Sequence, residues 1–141
     1  MFGHDTGLFD VVVDNGAALA ASTEVVAWVN NRGYPVQLVA ASYCQLTAIT
    51  SDTDDYYNLA VHICSAAGAH TTAAATATLQ TTALTAFVPL DLTLTSTAAD
   101  LVVGTTETVN CLATKVSAGP NLDASGKWVL TFAPGTGAAT S

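Results

Sequence analysis

Three aspartates stand close together in one short polar segment, at Asp52, Asp54 and Asp55. Carboxylates at this spacing could bind a hard cation such as Ca²⁺, which takes about six to eight oxygen ligands. The segment lacks the central glycine and the distal bidentate glutamate of an EF-hand loop. We therefore interpret it as a turn in which Asp side chains accept hydrogen bonds from backbone amides, and we predict no metal site and no cofactor.

Histidines, serines and threonines could together supply hydrolytic chemistry. His4, His62 and His70 lie far apart in the sequence and lack the spacing of metal ligands. Ser and Thr are plentiful, but no G-x-S-x-G nucleophile elbow is present. The Gly-Thr segments at 104–106 and 135–137 lack the lysine of a phosphate-binding loop. We predict that the protein is not an enzyme.

Cysteines and aromatic residues offer two other kinds of site. Cys44, Cys64 and Cys111 form no Cys-x-x-Cys motif, and we interpret them as free buried thiols. A Cys44–Cys64 disulfide between neighbouring strands is the alternative. Four aromatic residues could stack on a sugar ring, although core packing explains them equally well. They are Trp28, Tyr43, Tyr56 and Tyr57.

The composition limits the kinds of partner. Three Lys and Arg face eleven Asp and Glu, and charged residues make up 10% of the 141 positions where an ordinary soluble domain has about 25%. The net charge of −8 repels a phosphate backbone, so we predict no nucleic-acid binding. Apolar runs such as 36–41 are far shorter than the roughly 20 residues of a membrane helix, which predicts no membrane partner.

A surface with so few ions loses little hydration when it meets another surface, because hydroxyl and methyl groups are easier to desolvate than charged groups. The composition therefore predicts a subunit of an assembly. A monomeric Thr-rich β domain, kept in solution by its net negative charge, is the alternative.

Apolar and polar residues alternate along several segments between Thr23 and Phe132, as is typical of half-buried β-strands. Residues 65–86 are rich in Ala and Thr, whose propensities conflict, and we predict a loop followed by one strand or one helical turn. The residues predicted to share one face of their strand are Val36, Leu38, Ala40, Cys44 and Leu46; Tyr57, Leu59, Val61 and Ile63; and Val109, Cys111 and Ala113. The residues predicted to face inward are Val88, Leu90, Leu92 and Leu94, and Trp128, Leu130 and Phe132.

These segments predict an all-β fold, an antiparallel β-sandwich of jelly-roll type, over residues 23–133. Residues 134–141 form a predicted flexible C-terminal tail, and residues 1–22 form a predicted extended N-terminal arm. The arm is too apolar for a solvated tail, so we expect it to dock on its own domain or on a neighbour. Its apolar residues are Phe2, Leu8, Phe9, Val11, Val12 and Val13.

The order of these segments carries a family resemblance. It consists of the Thr-Asp-rich loop 50–55, the stretch Tyr57-Asn58-Leu59-Ala60-Val61-His62-Ile63, an Ala/Thr loop, and the segments 86–94, 98–103, 108–115 and 127–132. This pattern resembles the small β-sandwich decoration, or cement, proteins of tailed bacteriophage heads, over about residues 23–132.

The resemblance implies a structural virion protein on the outer surface of the capsid. Such a protein would bind there as a homotrimer and stabilise the head by bridging major capsid subunits. The arm residues Phe2, Leu8, Phe9 and 11–13 would contact the capsid or another copy. The first residues show no signal for export, so we expect synthesis in the host cytoplasm. A carbohydrate- or host-surface-binding module of a fibre or spike is the alternative.

Overall fold

The computed structural model describes residues 7–69 and 72–135. Phe2, His4, His70 and most of the predicted tail lie outside these residues. No helix in the described part is long and apolar enough to cross a membrane. Its elements are one short 3-10 helix, Ala98–Leu101, and ten strands: β1 (Phe9–Asp14), β2 (Thr23–Val29), β3 (Val36–Cys44), β4 (Tyr56–Cys64), β5 (Ala73–Thr78), β6 (Leu90–Asp91), β7 (Thr93–Leu94), β8 (Val102–Val103), β9 (Thr108–Val116) and β10 (Lys127–Pro134).

The strands form two antiparallel sheets. The first sheet has the order β1-β10-β3-β6, with β8 also pairing with β3, and the second has the order β2-β9-β4-β5-β7. The chain crosses repeatedly from one sheet to the other. Eight strands, in the orders β1-β10-β3-β6 and β2-β9-β4-β5, have the arrangement of a jelly roll. The predicted antiparallel β-sandwich of jelly-roll type is therefore confirmed.

The core lies between the two sheets and is built from alternate residues of the long strands. Trp128, Leu130 and Phe132 of β10 are at most 1% exposed, as their alternation predicts. Val109, Cys111 and Ala113 of β9 and the central residues of β4 are also buried. Each large side chain buried in this way stabilises the fold by about 1.5–3 kcal/mol.

Strand β3 departs from the predicted alternation because it contains a β-bulge. Thr131 pairs with Ala40 and Phe132 pairs with Leu38, so Val39 is an extra residue on β3. Val36 and Leu38 share a face as predicted, and this face is turned to the core. Beyond the bulge the inward face shifts by one position.

The prediction that Ala40, Cys44 and Leu46 share a face with Val36 and Leu38 is therefore wrong. Ala40 is exposed, Cys44 is half-buried and Leu46 is 54% exposed. The core instead receives Ala41 and Tyr43. A bulge of one residue exchanges the two faces of a strand, because successive side chains point to opposite sides.

The segment predicted as one strand between Phe87 and Thr95 is two short strands on different sheets. β6 pairs with β3 in the first sheet, and β7 pairs with β5 in the second. Leu92, between them, is 5% exposed and closes this side of the core. Val88 precedes β6 and is 50% exposed, so its predicted inward orientation is wrong.

The Ala- and Thr-rich region forms a strand rather than a helical turn. β5 pairs with β4 from Asn58↔Thr78 to His62↔Ala73. Ala74 and Ala75 are buried. Tertiary pairing thus decides a segment whose residue propensities conflict.

Most of the described part of the predicted arm packs on its own domain. β1 pairs with β10 from Phe9↔Phe132 to Asp14↔Lys127 and forms one edge of the first sheet. Leu19 makes an antiparallel bridge with Leu122 and is buried.

Candidate contact surfaces

One end of the sandwich is formed by four loops, residues 15–22, 45–55, 79–89 and 117–126. We call it the Gln45 end, after a buried residue at its centre. Two isolated bridges join these loops in pairs, Leu19↔Leu122 and Ile49↔Leu84. Their backbone hydrogen bonds measure 2.8–3.2 Å, and all four side chains are buried. The loops are thereby held to one another as well as to the strands.

Gln45 is 4% exposed and makes hydrogen bonds with both ends of its amide group. Its Oε1 accepts from the Tyr43 hydroxyl at 2.9 Å and from the Asp123 backbone N–H at 3.0 Å. Its Nε2 donates to the Thr47 carbonyl at 2.7 Å. The amide thus connects β3, the 45–55 loop and the 117–126 loop.

Asn15 extends this network to the loop after β1. Its Nδ2 donates to the Tyr43 hydroxyl and to the Asp123 carbonyl, both at 2.8 Å. Its Oδ1 accepts from the Trp128 indole N–H at 3.0 Å. Burial raises the pKa of Tyr43 to about 12, so its hydroxyl stays a hydrogen-bond donor at neutral pH. A polar network of this kind makes the loop conformation rigid.

Three large apolar side chains are exposed on these rigid loops. Leu46 is 54%, Phe87 is 72% and Val88 is 50% exposed. The Phe87 backbone N–H donates to the Gln45 carbonyl at 3.0 Å, so the two loops that carry the trio adjoin. We call Leu46, Phe87 and Val88 the Phe87 patch.

The backbone of Phe87 is strained. Val88 N–H donates to the Thr85 carbonyl at 3.1 Å, closing a β-turn with Phe87 at its third position. Phe87 has a φ of +64°, and a turn with positive φ there favours glycine. Holding a bulky residue in this conformation costs about 1–3 kcal/mol.

The same end carries a group of carboxylates. Asp52 Oδ1 accepts from the backbone N–H groups of Asp54 at 2.8 Å and Asp55 at 3.1 Å, which confirms the predicted turn. These two bonds lower the pKa of Asp52. Asp55 Oδ1 accepts from the Ala118 N–H and Asp123 Oδ2 from the Thr47 N–H. Within the described ranges, no three His, Cys, Asp or Glu residues form a group that could hold a metal ion.

The three basic residues make contacts within the domain. Lys127 Nζ pairs with Asp14, and Lys115 Nζ donates to the Ala20 carbonyl at 3.0 Å and to Asn121 Oδ1 at 3.3 Å. The Arg32 guanidinium lies 3.8 Å from the ring centroid of Phe9, at the other end of the sandwich. Lys115 and Lys127 thus lie at the Gln45 end, but their ammonium groups contact Asp14, the Ala20 carbonyl and Asn121 rather than the carboxylates of the 45–55 loop.

The outer face of the second sheet has a different character. Its central strands, β9, β4 and β5, present two rows of methyl, hydroxyl and amide groups. We call the six residues of these rows the neutral face. Two carboxylates lie at its borders, since Glu24 on edge strand β2 pairs with Leu112, and Asp91 lines the same surface depression as Ala60 and Thr76. The rows are Leu112-Ala60-Thr76 and Thr114-Asn58-Thr78.

The aromatic residues predicted as a possible sugar platform do not share one exposed face. Tyr43 and Tyr57 are at most 1% exposed, and the Tyr57 hydroxyl donates to the Leu19 carbonyl at 2.6 Å. Trp28 packs 5.4 Å from Phe9 and 5.1 Å from Phe132, measured between ring centroids. Core packing therefore accounts for three of the four predicted rings.

The three cysteines are free, as predicted. Cys64 and Cys111 are buried, and Cys44 is half-buried as a result of the β3 bulge. Burial raises the pKa of Cys111 to about 12, so its thiol is protonated and unreactive at neutral pH.

The predicted contact residues of the arm divide between the core and the surface. Phe9, Val11 and Val13 pack against the core. Leu8 is 52% and Val12 is 56% exposed, while Phe2 lies outside the described residues.

The Phe87 patch was not predicted from the sequence. Alternation along the chain instead predicts an inward face for Val88, a strand face shared with Val36 and Leu38 for Leu46, and a strand start at Phe87. The proline two residues after Phe87 indicates a strand start or a turn. No residue pattern, however, indicates a positive φ at a phenylalanine.

The fold and these surfaces define a jelly-roll β-sandwich with one rigid loop end and one neutral sheet face. No protein-family model matches the chain, and no curated protein matches it. Among solved structures, the chain is similar to one from the structure of infectious bursal disease virus, Gx strain, with 12% identity and a TM-score of 0.42. The match covers 88% of this chain and 31% of the viral chain.

Proposed function

We propose that this protein is a structural component of a virion, and that it binds the outside of a phage head and stabilises it by bridging major capsid subunits. The observation that carries the proposal is the neutral face. A sheet face of methyl, hydroxyl and amide groups costs less to desolvate than a charged face, provided that its hydroxyl and amide groups find hydrogen-bond partners. The order of strands and loops resembles that of phage decoration proteins, and for this reason we propose that the surface is covered on a phage head.

The fold alone does not decide the function, because jelly rolls occur in viral capsid proteins, lectins and cupins. A lectin-like role would be favoured by aromatic rings grouped at the surface. Here Tyr43 and Tyr57 are buried and Trp28 is packed between two phenylalanines. These rings support the virion role over a sugar-binding module.

We infer that copies of the protein associate as a homotrimer through the neutral face. Two copies each with a net charge of −8 repel one another, so contact is cheapest where the surface carries no charge. The exposed side chains of Leu8 and Val12 on the predicted arm offer additional apolar contacts.

The proposed stabilisation is multivalent and requires no bond making or breaking. A trimer that spans several capsid subunits holds each of them near the others, so that one weak contact raises the effective concentration for the next. Separation of neighbouring subunits then requires several contacts to break together.

The test is the mass of the purified chain by light scattering, alone and after mixing with phage shells that lack it. We expect a trimer that saturates the shells at a fixed ratio. A monomer that leaves the shells bare would contradict the proposed function.

A matched pair of variants tests the neutral face. Thr76 is exposed on β5, and Thr76→Glu places a charge on this face without entering the core. We expect trimer formation to weaken by about tenfold or more, because a carboxylate must be desolvated at the contact. Thr105→Glu, in an exposed loop at the other end, is the control. Equal trimer formation by both variants would move the contact elsewhere.

A further inference from the structure

We propose that the Gln45 end is the surface that meets the capsid shell, and that its binding partner is an apolar protein surface flanked by Lys or Arg side chains. This inference rests on the proposed function and adds the orientation of the sandwich and the chemistry of its partner. The sandwich would stand with its loops on the shell, which leaves the neutral face for other copies.

The first argument is that the Phe87 patch is exposed and already ordered. Phe87 is 72% exposed, yet its loop is joined to the 45–55 loop by the Phe87–Gln45 and Ile49↔Leu84 backbone hydrogen bonds. Binding by preformed loops avoids the entropy cost of ordering them. Large aromatic side chains near the centre of an interface commonly contribute much of its binding energy.

The second argument is the positive φ of Phe87. Glycine would satisfy this turn without strain. The fold instead holds a large ring outward at a strained position, where it adds little to the core. Thr106 and Ser117 also have a positive φ, but Phe87 is the one of the three with a large apolar side chain. Strain that holds such a ring at the surface is typical of positions that serve binding.

The third argument is the negative charge of the Gln45 end, which indicates a partner with positively charged side chains. Asp52 and Asp54 are exposed on the same end, and Asp55 and Asp123 are partly exposed there. Cationic groups on the partner would complement them.

A second copy of this chain fits that requirement poorly. Lys115 and Lys127 already contact groups of their own domain, and Arg32 lies over the Phe9 ring. A capsid surface with free Lys or Arg side chains is therefore the occupant that the charges favour.

The experiment compares variants for binding to phage shells that lack the protein, by co-sedimentation. Phe87→Gly removes the ring and suits the positive φ, so the fold is retained. We expect its affinity for the shells to fall by at least about tenfold. Tyr34→Ala is the matched control, because Tyr34 is also an exposed loop aromatic, 42% exposed, but lies at the other end. We expect the control to bind within about twofold of wild type.

The charge argument is tested with the double variant Asp52→Asn, Asp54→Asn. Asparagine keeps the side-chain oxygen that caps the turn and removes the two charges. We expect affinity to fall about threefold or more at about 0.05 M salt, and the difference from wild type to disappear near 0.5 M. Asp100→Asn, in the 3-10 helix at the other end, is the control and should leave affinity unchanged.

The outcomes separate this inference from the proposed function. If wild type binds the shells and Phe87→Gly binds equally well, the inference is overturned and the proposed function stands. If Phe87→Gly instead converts a trimer to a monomer, the patch meets a second copy and the inference is again overturned. If wild type does not bind the shells, both are overturned.

Discussion

Two buried side-chain amides, Asn30 and Gln45, stand at opposite ends of the sandwich. The Asn30 side chain makes its hydrogen bonds with backbone groups. Its Nδ2 donates to the carbonyls of Tyr34 and Val103, both at 3.0 Å, and its Oδ1 accepts from the Arg32 N–H at 3.1 Å. Gln45 instead joins a network that includes the side chains of Tyr43 and Asn15.

The surfaces above the two amides also differ. At the Asn30 end, the Arg32 guanidinium lies over Phe9 and its Nη1 is 3.4 Å from the Tyr34 hydroxyl. At the Gln45 end, the Phe87 ring is exposed, and acidic residues lie on the adjoining 45–55 loop. Similar buried amides thus have different surroundings, since one closes a turn and the other connects the loops of the Gln45 end. The predictions below test this difference.

The largest effect is expected at Asn30. Asn30→Ala removes two donors and one acceptor and leaves the buried Val103 carbonyl without this partner. We expect a loss of about 3 kcal/mol in the free energy of unfolding, measured by urea denaturation. Asn31→Ala, at the exposed neighbouring position, should change it by less than about 0.5 kcal/mol. Equal losses for both variants would show that the Asn30 bonds do not stabilise the turn.

A smaller loss is expected at Gln45. In Gln45→Ala the Tyr43 O–H, the Asp123 N–H and the Thr47 carbonyl lose a partner, while the Tyr43 oxygen still accepts from Asn15. These are three bonds, against the four that the Asn30 side chain makes. We expect about 2 kcal/mol by the same measurement. Thr47→Ala is the control, because the network uses only the backbone of Thr47. A loss at Gln45 larger than that at Asn30 would reverse the comparison.

An effect of opposite sign is expected at Phe87. Phe87→Gly removes the strain of a positive φ, and the greater freedom of glycine in the unfolded chain offsets part of the gain. We expect a net stabilisation of about 1 kcal/mol, seen as a higher Tm in differential scanning calorimetry. A lower Tm would mean that the ring stabilises the fold, and would remove the strain argument for a contact role.

The smallest effect concerns acid and Asp52. The backbone N–H groups of Asp54 and Asp55 hold the pKa of Asp52 below its unfolded value. This carboxylate therefore contributes stability above the unfolded pKa of about 3.9, and the contribution is lost as pH falls through the lower folded pKa. We expect the urea midpoint of Asp52→Asn to decline less than that of wild type between pH 7 and about pH 3. Parallel declines would contradict the assignment.

Local alternation predicted the strands whose pairing is regular. The inward faces of β9 and β10 follow from the sequence because a strand places successive residues on opposite sides. The same rule failed on β3, where one extra residue at Val39 exchanges the faces. That bulge is defined by the pairing with β10, and no residue near Val39 indicates it.

The candidate contact surface was less predictable than the fold. The low charge of the chain predicts a subunit of an assembly, but it does not indicate which surface would be covered. Phe87 was assigned to a strand because its neighbours alternate, whereas its φ of +64° depends on how the 79–89 loop joins Gln45. The acidic turn at 52–55 was predicted because an Asx turn forms from bonds within a few residues.

The sequence by itself determined the all-β class, the inward faces of the regular strands, the acidic turn and a surface poor in charge. Each of these depends on residue type or on neighbours along the chain. Tertiary structure decided the β3 bulge, the crossing between sheets at Leu92, the pairing of β1 with β10 and the grouping of Leu46 with Phe87 and Val88. These features join residues that are distant along the chain, and such pairings form only when the whole sandwich closes around its core.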